Sequence, residues 1–205
     1  MNEIKSKLKG IVKILGIANR AYFITRYLHE PKNDDHAGII LNSDFLRFSK
    51  YSYFYMLVIE LNKLVINNQS QKYNLFKLIN LLENNKNEIN NKISKEKILE
   101  LKNMLNAINS RSISSLKNLR DKLYAHQDNI NSDFFSENNL TLDEVGRVLS
   151  TAKEIIRQIY LCLEDEDFKF DIIPEITIAE RHIKRMVDLQ SKELELLKLR
   201  IDRKK

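Results

Sequence analysis

A chain of 205 residues with a formal net charge of +6, four glycines and two prolines is long enough to bury a real core and too poor in turn formers for a β-rich fold. Its one cysteine, Cys162, excludes an intramolecular disulfide, and no Cys/His cluster has the spacing of a zinc site. The start from Met1 to Lys9 is polar and the apolar run Ile11–Ile17 is short and interrupted, so no secretory or membrane-spanning segment is expected and the cytoplasm is the default location.

Leu8, Ile11, Val12, Leu15, Ala18 and Tyr22 recur at helical spacing and predict a helix from Glu3 to about Leu28, stopped before Pro31. Glu30–Asn42 reads as a loop. Asp34, Asp35 and His36 crowd there without a recognisable metal-ligand spacing, so no metal and no cofactor is expected. Ser43 then caps a long aromatic-rich helix to about Ile66, with Phe45, Phe48, Tyr51, Tyr55, Val58 and Leu61 assigned to the core. A short helix, Tyr73–Leu82, leads into the Asn/Lys-rich Glu83–Lys92, read as a loop or frayed helix end. Another helix spans about Lys95–Ile108, and Asn109-Ser110-Arg111-Ser112 marks a break.

The next helix starts near Ser110. At about 100° per residue, Ile113, Leu116, Leu119 and Leu123 form one apolar stripe, with Arg120 to one side and His126 to the other, about 120° apart. Between Leu101 and Arg120 lie Lys102, Arg111, Lys117 and Arg120 and no acid, a run that attracts polyanions or is simply a solvated face. Gln127–Asn139 is rich in Asn, Asp and Ser, so the helix should end at or just after His126. Thr141-Leu142-Asp143-Glu144 has the capping-box pattern and opens a helix through about Leu163, with Val145, Val148, Leu149, Ile155, Ile156 and Ile159 inward. Residues 160–180 carry seven acids against one lysine, and residues 181–205 nine Lys/Arg against four acids. Pro174 closes the acidic connector. A last helix, about Ile178–Arg203, carries Ile183, Val187, Gln190, Leu194, Leu197 and Ile201 at alternating four and three spacing, a short heptad seam. The organisation expected is all-α: a helical bundle over residues 1–170 and a basic C-terminal helix over 171–205, packed on the bundle or intermolecular.

Arg120-Asp121 followed by Lys122-Leu123-Tyr124-Ala125-His126 is an arginine, a polar residue and a histidine at the spacing found in the HEPN superfamily. The wording RDKLYAH most resembles the AbiU group of abortive-infection HEPN proteins, as do the aromatic-rich run Phe45–Leu61 and the stretch YNLFKLINLL from Tyr73 to Leu82. The resemblance extends over roughly residues 5 to 165. It implies a HEPN-type helical bundle with a long C-terminal helix, acting as a homodimeric, metal-independent endoribonuclease, a toxin or abortive-infection effector in phage defence. It also implies Arg120 and His126 as the catalytic pair and Asp121 as the residue that orients one of them. RNA would be the substrate, with Lys122, Tyr124, Lys117 and Arg111 as candidate contacts, although Lys122 also reads as an ordinary surface lysine and Tyr124 reads first as a packing residue; an antitoxin or other defence-system protein is a possible partner. Some HEPN toxins carry a modified tyrosine two residues after the histidine; here Asp128 stands there. The alternative is a non-catalytic HEPN module that binds nucleotide, RNA or a protein, and a third reading makes the motif accidental.

The residue types suit the chemistry independently. Histidine, with an unperturbed pKa of about 6.5, can take a proton from a ribose 2′-OH or give one to a leaving 5′-oxygen. Arginine stays charged and offers paired donors to phosphate oxygens. His29, His36 and His182 are assigned no catalytic role, and Cys162 is expected to be a buried thiol.

Overall fold

The computed structural model describes residues 1–85, 89, 91–125, 134–170 and 173–202. Helices account for its regular structure: α1 (Asn2–His29), α2 (Asp34–Asn42), α3 (Asp44–Val65), α4 (Leu75–Asn84), α5 (Lys95–Asn106), α6 (Ser110–Asn118) continuing into a π-helical turn (Leu119–Ala125), the single turn α7 (Phe134–Glu137), α8 (Leu142–Glu164) and α9 (Ile173–Asp202). No strand occurs among the described residues. The fold is an all-α bundle with a long C-terminal helix.

Most starts are set by local capping. Ser43 Oγ accepts the Leu46 N–H ahead of α3, and Asn109 Oδ1 accepts the Arg111 and Ser112 N–H groups ahead of α6. At α8 the capping box is complete: Glu144 N–H donates to Thr141 Oγ1 at 3.2 Å and Thr141 N–H donates to Glu144 Oε2 at 2.8 Å. Each cap satisfies N–H groups that the first turn leaves unpaired. α8 ends at Asp165, whose φ of 57° places it in the left-handed region.

Two elements differ from the periodicity reading. Residues expected as a loop from Glu30 to Asn42 contain the helix α2, because Asn33 accepts the His36 N–H and Asp34 and Asp35 fill a first turn that favours acids. α9 begins at Ile173, ahead of the expected Ile178, with Pro174 inside its first turn, where the missing N–H has no helical partner to lose.

The chain divides into two compact units. The first holds residues Met1–Tyr22 and Tyr55–Phe170. Its core takes Leu8, Ile11 and Leu15 from α1, Leu57, Leu61 and Leu64 from α3, Leu75, Leu78 and Leu82 from α4, Leu101 from α5, Leu116 from α6, and Val145, Ile155, Ile156 and Ile159 from α8. α5 packs on α4 and α8, and α6 on α8. Backbones and rings approach closely at two glycines: a Cβ on Gly10 would overlap the Tyr73 ring, and one on Gly146 would sit 2.5 Å from the Tyr22 hydroxyl.

Three buried asparagines fasten the ends of helices in this unit. Asn74 donates to the carbonyls of Lys63 and Ile66 while accepting the Phe76 N–H, which locks the α3–α4 corner. Asn62 on α3 donates to Val58 O and to Leu116 O on α6, each at 2.8 Å. Asn138 donates to Phe134 O and accepts from Asn118.

The second unit holds Phe23–Phe54 and Asp171–Lys205. Tyr27, Leu28, Ile40 and Ile183 form its buried cluster, and the Tyr27 hydroxyl lies 2.7 Å from His36 Nδ1. Burial, followed by the charge of Glu180, pushes the Tyr27 pKa up to about 12. The aromatics assigned to the core from α3 are a correction here. Phe45, Phe48 and Tyr51 are about 70% or more exposed and Tyr55 is 42% exposed, whereas Val58 and Leu61 are fully buried. Helical spacing identified one face of α3, but in its N-terminal half it is Leu46 that packs against a buried cluster, while these aromatics stay exposed.

Candidate functional site

Arg120, Asp121 and Lys122 lie in the π-helical turn Leu119–Ala125. A π turn closes its hydrogen bonds to the fifth residue back and is rare, though frequent among functional sites, so the 100° spacing of a straight α-helix stops applying at Leu119. Up to that residue the predicted stripe is buried at Leu116 and Leu119, with Ile113 half-buried and Ser112 and Ser115 filling the rest of the inward face. The side chains of Leu123 and Tyr124, and all of His126, lie outside the described residues.

Just before the turn, Asn62 reaches from α3 to the Leu116 carbonyl. A side-chain donor inserted into the helical ladder is a known cause of local rewinding, and a fully buried amide has no water to take its place. At the entrance to the turn Asn118 Nδ2 donates to Asn138 Oδ1 at 2.8 Å, and within it the Lys122 ammonium lies 6.0 Å from the centre of the buried Phe134 ring. These contacts tie the helix that enters the motif to the residues that follow position 133.

Within the turn, Arg120 Nε and Nη2 each lie 2.5 Å from Asp121 Oδ1. The arginine side chain is 20% exposed and the aspartate 38%. Neighbours one residue apart do not face each other on a helix, so this contact depends on the length of the arginine side chain bending round. A pair at the surface, even half-buried as here, is worth about 0–1 kcal/mol. Its effect is geometric: the carboxylate holds the guanidinium by the edge that would take a phosphate bidentately.

The other RNA-contact candidates divide. Lys117 is exposed one turn before Arg120, and Lys122 is exposed two residues after it. Arg111 is exposed, but it lies nine residues before Arg120, about half a rotation away at 100° per residue, and near enough to Glu144 to depress that carboxyl's pKa. The main cause of the Glu144 depression is the Thr141 backbone hydrogen bond. Asn62 and Asn138 were missed by the sequence reading; asparagine in a helix-rich chain signals caps and loops, and nothing local distinguishes a buried one.

Outside the motif, His29 Nδ1 lies 2.8 Å from Thr25 O and burial lowers its pKa. His36 is buried against Tyr27, His182 is exposed, and Cys162 is half-buried and not the buried thiol expected. Among the described residues no group of three His, Cys, Asp or Glu side chains could hold a metal ion, and no helix is long and apolar enough to cross a membrane.

An all-helical bundle with an arginine–acid pair late in the chain and five residues between that arginine and a histidine has the features of the HEPN class. The AbiU2 family profile of HEPN domains matches residues 1–181, and the chain belongs to that family. It is thus an abortive-infection-related HEPN domain. Neither a curated protein nor a solved structure matches it.

Proposed function

We infer that this chain is a metal-independent endoribonuclease that acts in the cytoplasm as a toxin or abortive-infection effector in defence against phage. The observation that carries this reading is the Arg120–Asp121 pair held in a π turn that leads directly to His126, in a chain of a HEPN family. RNA cleavage without a metal needs a base to take the proton from the 2′-OH as that oxygen attacks phosphorus. It also needs an acid to protonate the leaving 5′-oxygen and a cation for the charge gathering on the phosphorane. His126 supplies proton transfer and Arg120 the charge. Asp121 orients Arg120 until phosphate displaces the carboxylate. Lys117, Lys122 and Tyr124 border the same helix end as contacts for the RNA, with Arg111 extending the run at its far end.

One histidine cannot readily serve both sides of an in-line displacement. A C2 homodimer with the motif helices facing across the axis provides two. No cofactor enters the reaction, and an antitoxin or other defence-system protein would act by covering this cleft. The competing reading is a non-catalytic HEPN module that binds nucleotide, RNA or protein; the closure of Arg120 onto its own neighbour favours it.

The purified full chain, incubated with single-stranded RNA in EDTA, should yield products ending in a 2′,3′-cyclic phosphate or its opened form. Cleavage that vanishes with chelator and returns with magnesium would overturn the mechanism. RNA retained on the protein without cleavage would favour the binding module.

A further inference from the structure

Among the described residues, the longest uncovered stretch is the second half of α9. Ile183 is buried with Tyr27, Leu28 and Ile40 and Val187 is half-buried, but every residue from Asp188 to Ile201 is exposed. Leu189, Leu194, Leu196, Leu197, Leu199 and Ile201 are each more than half exposed. A bare helical stretch of this length is marginal in water without packing, and apolar exposure on this scale marks an interaction surface. The family profile ends at residue 181, before the bare stretch begins.

The spacing of the bare residues selects the partner. Val187, Leu194 and Ile201 take the first core position of successive heptads, and Ile183, Gln190 and Leu197 the other. Val187 and Ile201 give β-branched residues at two of the three first positions and Leu197 a leucine at the second, the combination that favours two parallel strands. In that arrangement Gln190 meets its own copy, so its amide is paired by symmetry and fixes the register. Glu193 and Lys198 flank the seam at the positions that face each other across a parallel pair, giving two opposite-charge contacts by symmetry. An antiparallel pairing over the whole seam would instead set Lys184 against Lys198 and Glu193 against Glu193.

We propose that the seam from Val187 to Ile201 binds the same seam of a second copy of this chain as a short parallel coiled coil. At about 1.5 Å per residue it is about 20 Å long. It is too short to be strong alone, but it raises the effective concentration of any second contact between the two copies. The pairing holds whether or not the chain cleaves RNA.

The test is disulfide trapping in the full chain carrying Cys162→Ser. Leu194→Cys places two thiols across the parallel axis within reach of a disulfide, whereas Lys192→Cys lies on the outer face. Under mild oxidation Leu194→Cys should cross-link at least tenfold faster than Lys192→Cys, and Leu194→Glu with Leu197→Glu should raise the dimer dissociation constant at least tenfold in sedimentation while leaving the melting temperature of the dilute chain unchanged. Equal cross-linking rates overturn the proposal, and so does a dimer that is indifferent to the double substitution, which would place the contact elsewhere. Cleavage assays on the same samples keep the two readings apart: a trapped dimer that cleaves no RNA counts against the nuclease and leaves the α9 pairing standing.

Discussion

α8 and α9 are both long helices with an apolar seam at three-and-four spacing, and their seams meet different fates. In α8, Val145, Val148, Leu149, Ala152, Ile155, Ile156 and Ile159 are all buried by the chain's own helices; in α9, Gln190, Leu194, Leu197 and Ile201 face solvent. Periodicity states which side of a helix requires cover and is silent on what supplies it. α3 makes the same point within one helix: Leu57 to Val65 supply core residues, while Phe45, Phe48 and Tyr51 lie open.

Substitutions turn this difference into numbers. Ile156→Ala, in a site with no exposure, should cost about 2–5 kcal/mol by lost transfer energy and a residual cavity, read as a lowered denaturation midpoint. Asn62→Ala should cost about 1–3 kcal/mol by removing a buried donor from the Leu116 carbonyl, and it should also slow RNA cleavage because the π turn loses a brace. Cleavage unchanged in that variant would separate the brace from the site.

A smaller change tests the local signal that started α8. Thr141→Ala should cost about 1 kcal/mol. Hydrogen bonds from Thr141 hold the Glu144 carboxyl below its usual 4.5, so the folded state prefers the carboxylate. The stability it contributes is complete above that value and fades as the pH falls below it. The substitution removes the hydroxyl but keeps the backbone N–H that is the main cause, so most of that acid-side slope should remain in thermal melts. The smallest effect belongs to the open surface: Phe48→Ser on α3 should change stability by no more than about 0.5 kcal/mol. A loss of several kcal/mol there would mean that this face is packed in solution.

The contrast also explains what could be read in the residues. Caps are short-range, so Ser43 and Thr141 were legible, and Arg120, Asp121 and His126 stand out by side-chain chemistry. α2 differs from the loop reading of Glu30–Asn42 although Asn33-Asp34-Asp35 is a capping signal that the sequence carries. The π turn had no legible sign, and the contact that reaches the helix just before it comes from α3's Asn62, 54 positions away. Exposed aromatics on α3 were misplaced for the same reason: burial is set by neighbours the sequence does not name locally.

The central claim is that the chemistry belongs to the Arg120–His126 motif and is separable from the bundle that carries it. The most direct measurement is RNA cleavage in EDTA, per folded molecule, alongside thermal melting, for His126→Ala and for Leu116→Ala in the same helix. Loss of a proton-transfer group should lower cleavage by about two to four orders of magnitude with the melting temperature nearly unchanged, whereas the fully buried Leu116 should give a chain that melts earlier and cleaves normally while folded. A His126→Ala chain that melts early yet retains full cleavage per folded molecule would contradict the account.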